Sequence, residues 1–210
     1  MKITSIQELQ LHGAKLIQYR RHNDDRGYYA EIHRATDIEP VIPGFKIAQI
    51  GESFSAINVL RGLHFQWDPP AGKLVRVVYG SMWDFILDIR RGSPTYGKAI
   101  AVYIEGIPLS DLGYWLWVPP GFAHGCAFTS QTVLEYLWTE VYNPSGEGVI
   151  APLAEDIDWS LSAYRGDDLI KAFSKSPGFM QSPRDKAGIT FEQWRDHPHA
   201  GDFLFGEANA

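Results

Sequence analysis

Arg61-Gly62-Leu63-His64-Phe65-Gln66, with Lys73 nine residues beyond the histidine, gathers a guanidinium, an imidazole, a carboxamide and an ammonium in one short strand-rich stretch. Two further groups follow, Pro119-Pro120-Gly121-Phe122-Ala123-His124-Gly125 and Glu135-Tyr136-Leu137-Trp138, with Tyr142-Asn143-Pro144 just beyond. A fold that brings a base, a phenol and several cations into one pocket suits proton abstraction beside a carbonyl on an anionic substrate. Each residue also has a structural reading. His64 can be satisfied by hydrogen bonds inside a barrel, Lys73 can sit on a solvated strand edge, and Tyr136 can be an ordinary core aromatic beside Leu134 and Trp138. The company of Arg61, Lys73 and His124 favours chemistry at His64, whereas periodicity alone favours packing at Tyr136.

These groups need rigid elements to hold them. Trp83, Phe85, Leu87 and Ile89 alternate with Met82, Asp84, Ile86 and Asp88, a period-two pattern with one strongly apolar face. Val75, Val77 and Tyr79 alternate with Leu74, Arg76 and Val78, and Gly80-Ser81 reads as a hairpin turn between the two runs. Arg91 to Thr95 is a second turn, and further strands are expected over Ala99–Glu105, Tyr114–Val118 and Thr132–Val141. Strands this regular, without helical periods between them, indicate an all-β antiparallel sandwich or small barrel. In an ideal strand Arg61 and His64 point to opposite faces, so Gly62 is expected in a bulge that re-aims one of them. The last quarter reads as loops and short helices, with Thr190 as N-cap of a helix through Arg195. No internal repeat or low-complexity linker divides the 210 residues, so residues 1–210 read as one domain.

Composition narrows the function classes. A net charge of −6 argues against a nucleic-acid surface, which needs a basic face, but a few arginines focused in a cleft still suit a phosphorylated small ligand. No run of eighteen apolar residues is present to span a membrane, and Met1 to Ser5 lacks a signal-peptide pattern. The single Cys126 excludes an intramolecular disulfide and agrees with a reducing compartment, so a cytoplasmic protein is expected. In the apolar run Gly125-Cys126-Ala127-Phe128, that thiol reads as a small buried side chain rather than a nucleophile.

The spaced motifs resemble those of the dTDP-4-dehydrorhamnose 3,5-epimerase family. They are Arg26-Gly27-Tyr28-Tyr29-Ala30-Glu31, Val59 to Gln66, Gly72-Lys73-Leu74-Val75, Asp88 to Gly97, Pro120 to Gly125, Tyr142-Asn143-Pro144 and Ile157 to Leu161. The resemblance extends to Ser182-Pro183-Arg184-Asp185 and so covers most of the chain. It implies a cupin-type jelly roll with its core at about 45–142, a helical and loop segment at about 156–210, and a homodimer. It further implies a nucleotide-diphosphate sugar with a 4-keto group as substrate, epimerised at C3, C5 or both. His64 matches the base, Asp185 the carboxylate that fixes its tautomer, and Tyr136 the acid on the opposite face of the ring. Lys73 and Arg61 match cations that stabilise the developing enolate or bind the diphosphate. Tyr142 matches a residue stacking on the nucleotide base, and Arg26, Glu31, Gln49, His124, Glu147 and Arg184 match other substrate contacts. An N-terminal strand such as Lys15 to Tyr19 is expected to cover a second copy's sheet edge.

Metal-binding cupins carry a His-x-His pair, a following Glu and a later His. Here the pair reads His64-Phe65-Gln66, Lys73 lies where the acid would be, and only His124 remains, so no catalytic metal and no cofactor are expected. Two departures bear on the choice of sugar. Gly51 stands where the family usually has an Asn, and the His64–Lys73 loop is one residue shorter than usual and carries Trp67. The rival functions are a metal-dependent cupin isomerase or oxygenase and a non-catalytic sugar-nucleotide-binding cupin.

Overall fold

Period-two alternation of apolar residues produces thirteen strands among the described residues, 1–206, of the computed structural model. In chain order they are β1 (Ile3–Glu8), β2 (Lys15–Arg20), β3 (His22–Asp24), β4 (Gly27–Tyr29), β5 (Gln49–Ser55), β6 (Val59–Gln66), β7 (Lys73–Asp88), β8 (Ala99–Gly106), β9 (Leu112–Val118), β10 (Phe122–Phe128), β11 (Thr132–Trp138), β12 (Glu147–Val149) and β13 (Met180–Gln181). Short helices α1 (Ala35–Ile38), α2 (Gly166–Ser174), α3 (Pro183–Lys186) and α4 (Phe191–Arg195) complete the chain. The last has the expected cap. Thr190 Oγ1 accepts from the Gln193 backbone N–H, while the Gln193 side chain accepts from that of Thr190.

Two antiparallel sheets face each other as a jelly roll. Sheet I runs β1-β2-β9-β7-β11-β5, and sheet II runs β8-β7-β10-β6-β12, with β13 parallel to the start of β6. Strand β7 belongs to both, and here the structure corrects the sequence reading. Gly80-Ser81 is not a hairpin but a corner in one continuous strand. Residues before it pair with β9 and β11, those after it with β8 and β10. A hairpin would require the two halves to pair with each other, and both have better partners elsewhere. The corner is plugged by the β10–β11 turn, where Ser81 N–H donates to Ser130 Oγ and Thr132 Oγ1. Gly80 itself has φ +92°, and a Cβ there would lie 2.2 Å from the Gln131 carbonyl oxygen. Strand β11 stops at Trp138, short of the expected Val141, because Thr139 turns to bond Gly72 through its backbone N–H and its hydroxyl oxygen.

Three apolar cores result. Val75, Val77, Met82, Ile86, Leu116, Phe128 and Leu134 fill the space between the sheets. Leu60, Leu63, Phe65, Phe85 and Leu87 pack on the outside of sheet II under the C-terminal segment, against Trp159, Trp194 and Phe203. Ile17, Tyr19, Leu74, Trp115 and Leu137 pack on the outside of sheet I under Ile38, Val41 and Ile42. A second correction concerns Lys15 to Tyr19. Strand β2 is paired on both sides within its own sheet, by β1 and β9, so its backbone groups are not available to cover a neighbour's edge.

The corner can be tested directly. Gly80→Ala places a Cβ against backbone at a left-handed φ, and urea unfolding should show a loss of about 2 kcal/mol or more with unchanged slope. A loss under about 0.5 kcal/mol would mean that the corner relaxes freely.

Candidate active site

Strand β6 carries the predicted bulge. Its pairing with β10 matches His64 to His124 but Arg61 to Cys126, so Gly62 and Leu63 on β6 oppose Gly125 alone on β10. Leu60, Leu63 and Phe65 all enter the outer core, and Arg61, His64 and Gln66 consequently share the inner face. Gly62 makes this possible with φ +104°, and a Cβ on it would sit 2.5 Å from the Gly125 Cα.

His64 Nε2 donates to Asp185 Oδ1 at 2.6 Å, which leaves the Nδ1 lone pair as the available base. Asp185 is nearly inaccessible and lies on α3, where Ser182 caps its backbone N–H at 3.0 Å. Burial pushes its carboxyl up, but His64, the Ser182 hydroxyl and the Gly62 N–H outweigh this and hold it below the usual carboxylate range. The bulge thus orients the base and also helps keep its partner ionised.

The facing wall is drier. Lys73 is buried, and loss of water lowers its ammonium to about 8, against the opposing pull of Glu147, Cys126 and Asp84. Its Nζ lies 4.3 Å from the centroid of the Trp138 ring. Tyr136 Oη is 3.3 Å from Ser53 Oγ, and burial raises the phenol's pKa, with the nearby Cys126 and Asp84 adding to the effect. His124 Nε2 donates to Asp84 Oδ2 at 2.8 Å. Burial pushes Asp84 up and His124 partly offsets it. Arg61 Nε donates to Ser55 Oγ at 3.0 Å, near enough for its charge to act on Tyr136.

A second group lies at the more exposed rim. The Tyr142 hydroxyl donates to Glu147 Oε2 at 2.8 Å, Arg184 pairs with the same carboxylate, and Gln49 Oε1 accepts the Tyr142 backbone N–H at 2.9 Å. Gln66 supports this rim from beneath, donating to the Pro69 and Val141 carbonyls and accepting from Asn143 N–H. Two expected contacts lie elsewhere in the chain. Arg26 is 90% exposed and paired with Asp24, and Glu31 binds Arg34 and the Met1 ammonium, which hold its carboxyl down at about 2. Neither makes a hydrogen bond or ion pair with the groups above. A cleft of about 380 Å³ in the C-terminal segment lies apart from them too, and its Asp158 and Arg165 are already paired with Lys98 and Asp168.

Three residues deserved more weight at the level of sequence. Asp84 shares a face with Met82 and Ile86 on a strand apolar on both sides, which is the mark of a carboxylate needing a buried partner. Cys126 is buried as expected, but it faces the site, 3.8 Å from Asp84 Oδ2 and 3.9 Å from His124 Nε2. Trp138 is the third. Ligand atoms of Asp84, His124 and Cys126 lie within 4.8 Å of one another, a spacing that suits a metal ion and that the His-x-His argument did not consider. The Lys73 ammonium acts on Asp84 and Cys126 and opposes a further cation there.

The profile of the dTDP-4-dehydrorhamnose 3,5-epimerase family matches residues 8–193. The dTDP-4-dehydrorhamnose 3,5-epimerase of Sinorhizobium fredii is 41% identical over 140 residues, covering 65% of this chain and 70% of the relative. That of Methanothermobacter thermautotrophicus is 38% identical over 164 residues, covering 76% and 85%. Among solved structures, the dTDP-6-deoxy-D-glucose-3,5-epimerase of Legionella pneumophila in complex with dTDP-4-keto-L-rhamnose aligns with a TM-score of 0.77 and 31% identity, covering 90% of this chain and 93% of that one.

Burial and the Asp84 charge push the Cys126 thiol well above its ordinary pKa. The native protein at pH 8 should therefore react with a thiol-exchange reagent at least about 100-fold more slowly than the urea-unfolded chain. Comparable rates would place Cys126 in contact with solvent.

Proposed function

The chain belongs to the dTDP-4-dehydrorhamnose 3,5-epimerase family, and from that membership we propose how its residues divide the work of epimerising a dTDP-linked 4-keto-6-deoxy sugar at C3, C5 or both. His64 Nδ1 removes the proton beside the C4 ketone, and the C–H electron pair moves toward the ketone oxygen as an enolate. Lys73 and Arg61 stabilise that oxygen or the diphosphate, because fixed cations in a dry site need no reorganisation. Tyr136 then donates its proton to the opposite face of the same carbon, the phenolate is reprotonated from solvent, and the His64 imidazolium returns its proton to solvent. The observation carrying this reading is the 2.6 Å His64–Asp185 bond, which fixes one tautomer of the base and disperses the charge it gains. The raised Tyr136 pKa keeps the acid protonated at neutral pH, and an enolate carbon is basic enough to take its proton.

Tyr142, Gln49, Glu147 and Arg184 form the rim that receives the nucleotide and diphosphate, and His124 holds the sugar from the buried side. In a homodimer, Arg26 and Glu31 would serve the ligand bound to the second copy. The outer face of β5 supports that assembly, since Ile50 and Phe54 are 63% and 61% exposed on an edge strand. No helix among the described residues is long and apolar enough to cross a membrane, and the lone buried Cys126 suits a reducing, cytoplasmic setting.

Two experiments test the reading. In deuterated water with dTDP-4-keto-6-deoxyglucose, His64→Asn should lose deuterium incorporation at C3 and C5 by about 1000-fold or more. Tyr136→Phe should still exchange at the epimerisable carbon with little inversion, and unchanged inversion would remove Tyr136 from the mechanism. Light scattering at micromolar concentration should give twice the 23.6 kDa of one chain, and the mass of a single chain would refute the dimer.

A further inference from the structure

We propose that Trp138 is the positioning residue for Lys73: its indole face carries the ammonium group, and Gly51 gives the ring the room to do so. Strands β11 and β7 set Trp138 directly opposite Lys73, with Tyr136 opposite Val75 one step along the same inner face. The Lys73 Nζ stands 4.3 Å from the indole centroid, well inside the range where a ring's negative face attracts a cation. Two other cations drawn into the sheets have carboxylates to balance them, Arg76 with Glu135 and Arg90 with Asp88, while buried Arg21 donates to the Ile107 carbonyl and lies over the Tyr28 ring. Lys73 is equally buried, yet among the described residues no carboxylate lies within ion-pair distance of it. The indole face is in direct contact with it.

Gly51 completes the arrangement from β5. It pairs with Tyr136, diagonal to Trp138, and a Cβ built on it would lie 3.8 Å from Trp138 Nε1. The indole therefore leans across the glycine, and a side chain extending beyond Cβ at position 51 displaces it. The carboxylates acting on Lys73 are Glu147 from β12 and Asp84 from the second half of β7, with the protonated Cys126 thiol from β10 beside them and His124 and Tyr136 beyond. Strands β9 and β5 place Val118 and Gln49 at this level and add no charge. Burial lowers the ammonium to about 8, within reach of working pH, so a modest change in its surroundings alters its charge. A cation–π contact of ordinary strength moves such a titration by about one pH unit.

The pairing stands on geometry alone, while its catalytic consequence rests on Lys73 acting as a cation in the reaction proposed above. The test reads the two separately. Protein labelled with [ε-¹³C]lysine is titrated by NMR, the Lys73 signal being assigned by its loss in Lys73→Arg. Trp138→Leu should lower the Lys73 midpoint by about one unit, whereas Trp138→Phe, which keeps an aromatic face, should retain at least about half of the effect. Gly51→Val, with Trp138 intact, should shift the midpoint in the direction of the leucine variant. The alkaline limb of kcat/KM should move down in parallel, because activity is lost as pH rises through the midpoint of a required cation, and kcat should fall more than KM rises. A Lys73 midpoint unmoved or raised in the folded Trp138→Leu protein overturns the inference. A lowered midpoint with an unchanged alkaline limb upholds the pairing and instead removes Lys73 from the reaction.

Discussion

The approach of two backbones at Gly62 and Gly125 is the constraint on which the site depends. A Cβ on Gly62 would lie 2.5 Å from the Gly125 Cα, and one on Gly125 would lie 2.5 Å from the Arg61 carbonyl oxygen. Only side-chain-free residues on both strands allow the bulge that puts Arg61, His64 and Gln66 on one face. The same bulge directs the Gly62 N–H toward Asp185, so one irregularity aims the base and stabilises the carboxylate behind it. A regular ladder that kept Arg61 on the inner face would have turned His64 toward the outer core beneath Trp159 and Trp194 and exposed Leu63 to the site.

Around that fixed edge, the electrostatics of the interior follow from burial opposed by neighbours. Desolvation raises Asp84, Cys126 and Tyr136 and lowers Lys73, so these four groups are pushed toward their neutral forms. Asp84 is balanced by His124, and Lys73 feels Glu147, Asp84 and Cys126 from a distance. In a low-dielectric space such charges act strongly on one another, and a developing enolate oxygen would feel the cation most. The thiol of Cys126, held protonated, contributes polarizability and volume without a further negative charge.

Much of this was legible in the chain before any coordinates. Alternation located the strands of the jelly roll, the three-residue spacing of Arg61 and His64 demanded a bulge at Gly62, and Thr190 with Gln193 marked a helix start. The contact between His64 and Asp185 was not legible from spacing, since 121 residues separate them, and came only with the resemblance. Other features were hidden for stated physical reasons. Gly80-Ser81 has the composition of a hairpin, but whether a glycine reverses a strand or merely bends it is decided by which partners the two halves find. Asp84 looked like one polar residue in an alternating run, and its burial depends on His124 arriving from β10. The contact of Lys73 with Trp138 depends on cross-strand register, which a single sequence does not specify. Arg26 and Glu31 carry the motif, yet the local fold gives them other partners.

The contrast between rim and interior explains how a site can be both preformed and able to accept an anion. Arg184 is half-exposed, but the Glu147 carboxylate it pairs with is only 8% exposed, so this bridge is only partly solvated. In the proposed reaction an incoming diphosphate would compete with Glu147 for that guanidinium, and release of Glu147 would free the Tyr142 hydroxyl that it now accepts from. The Asp84–His124 pair is in the opposite position. Breaking it by removal of one partner leaves an uncompensated buried charge worth several kcal/mol, so it persists through any ligand exchange. The rim bridge is thus open to solvent on its arginine side, whereas the Asp84–His124 pair is closed to it on both sides.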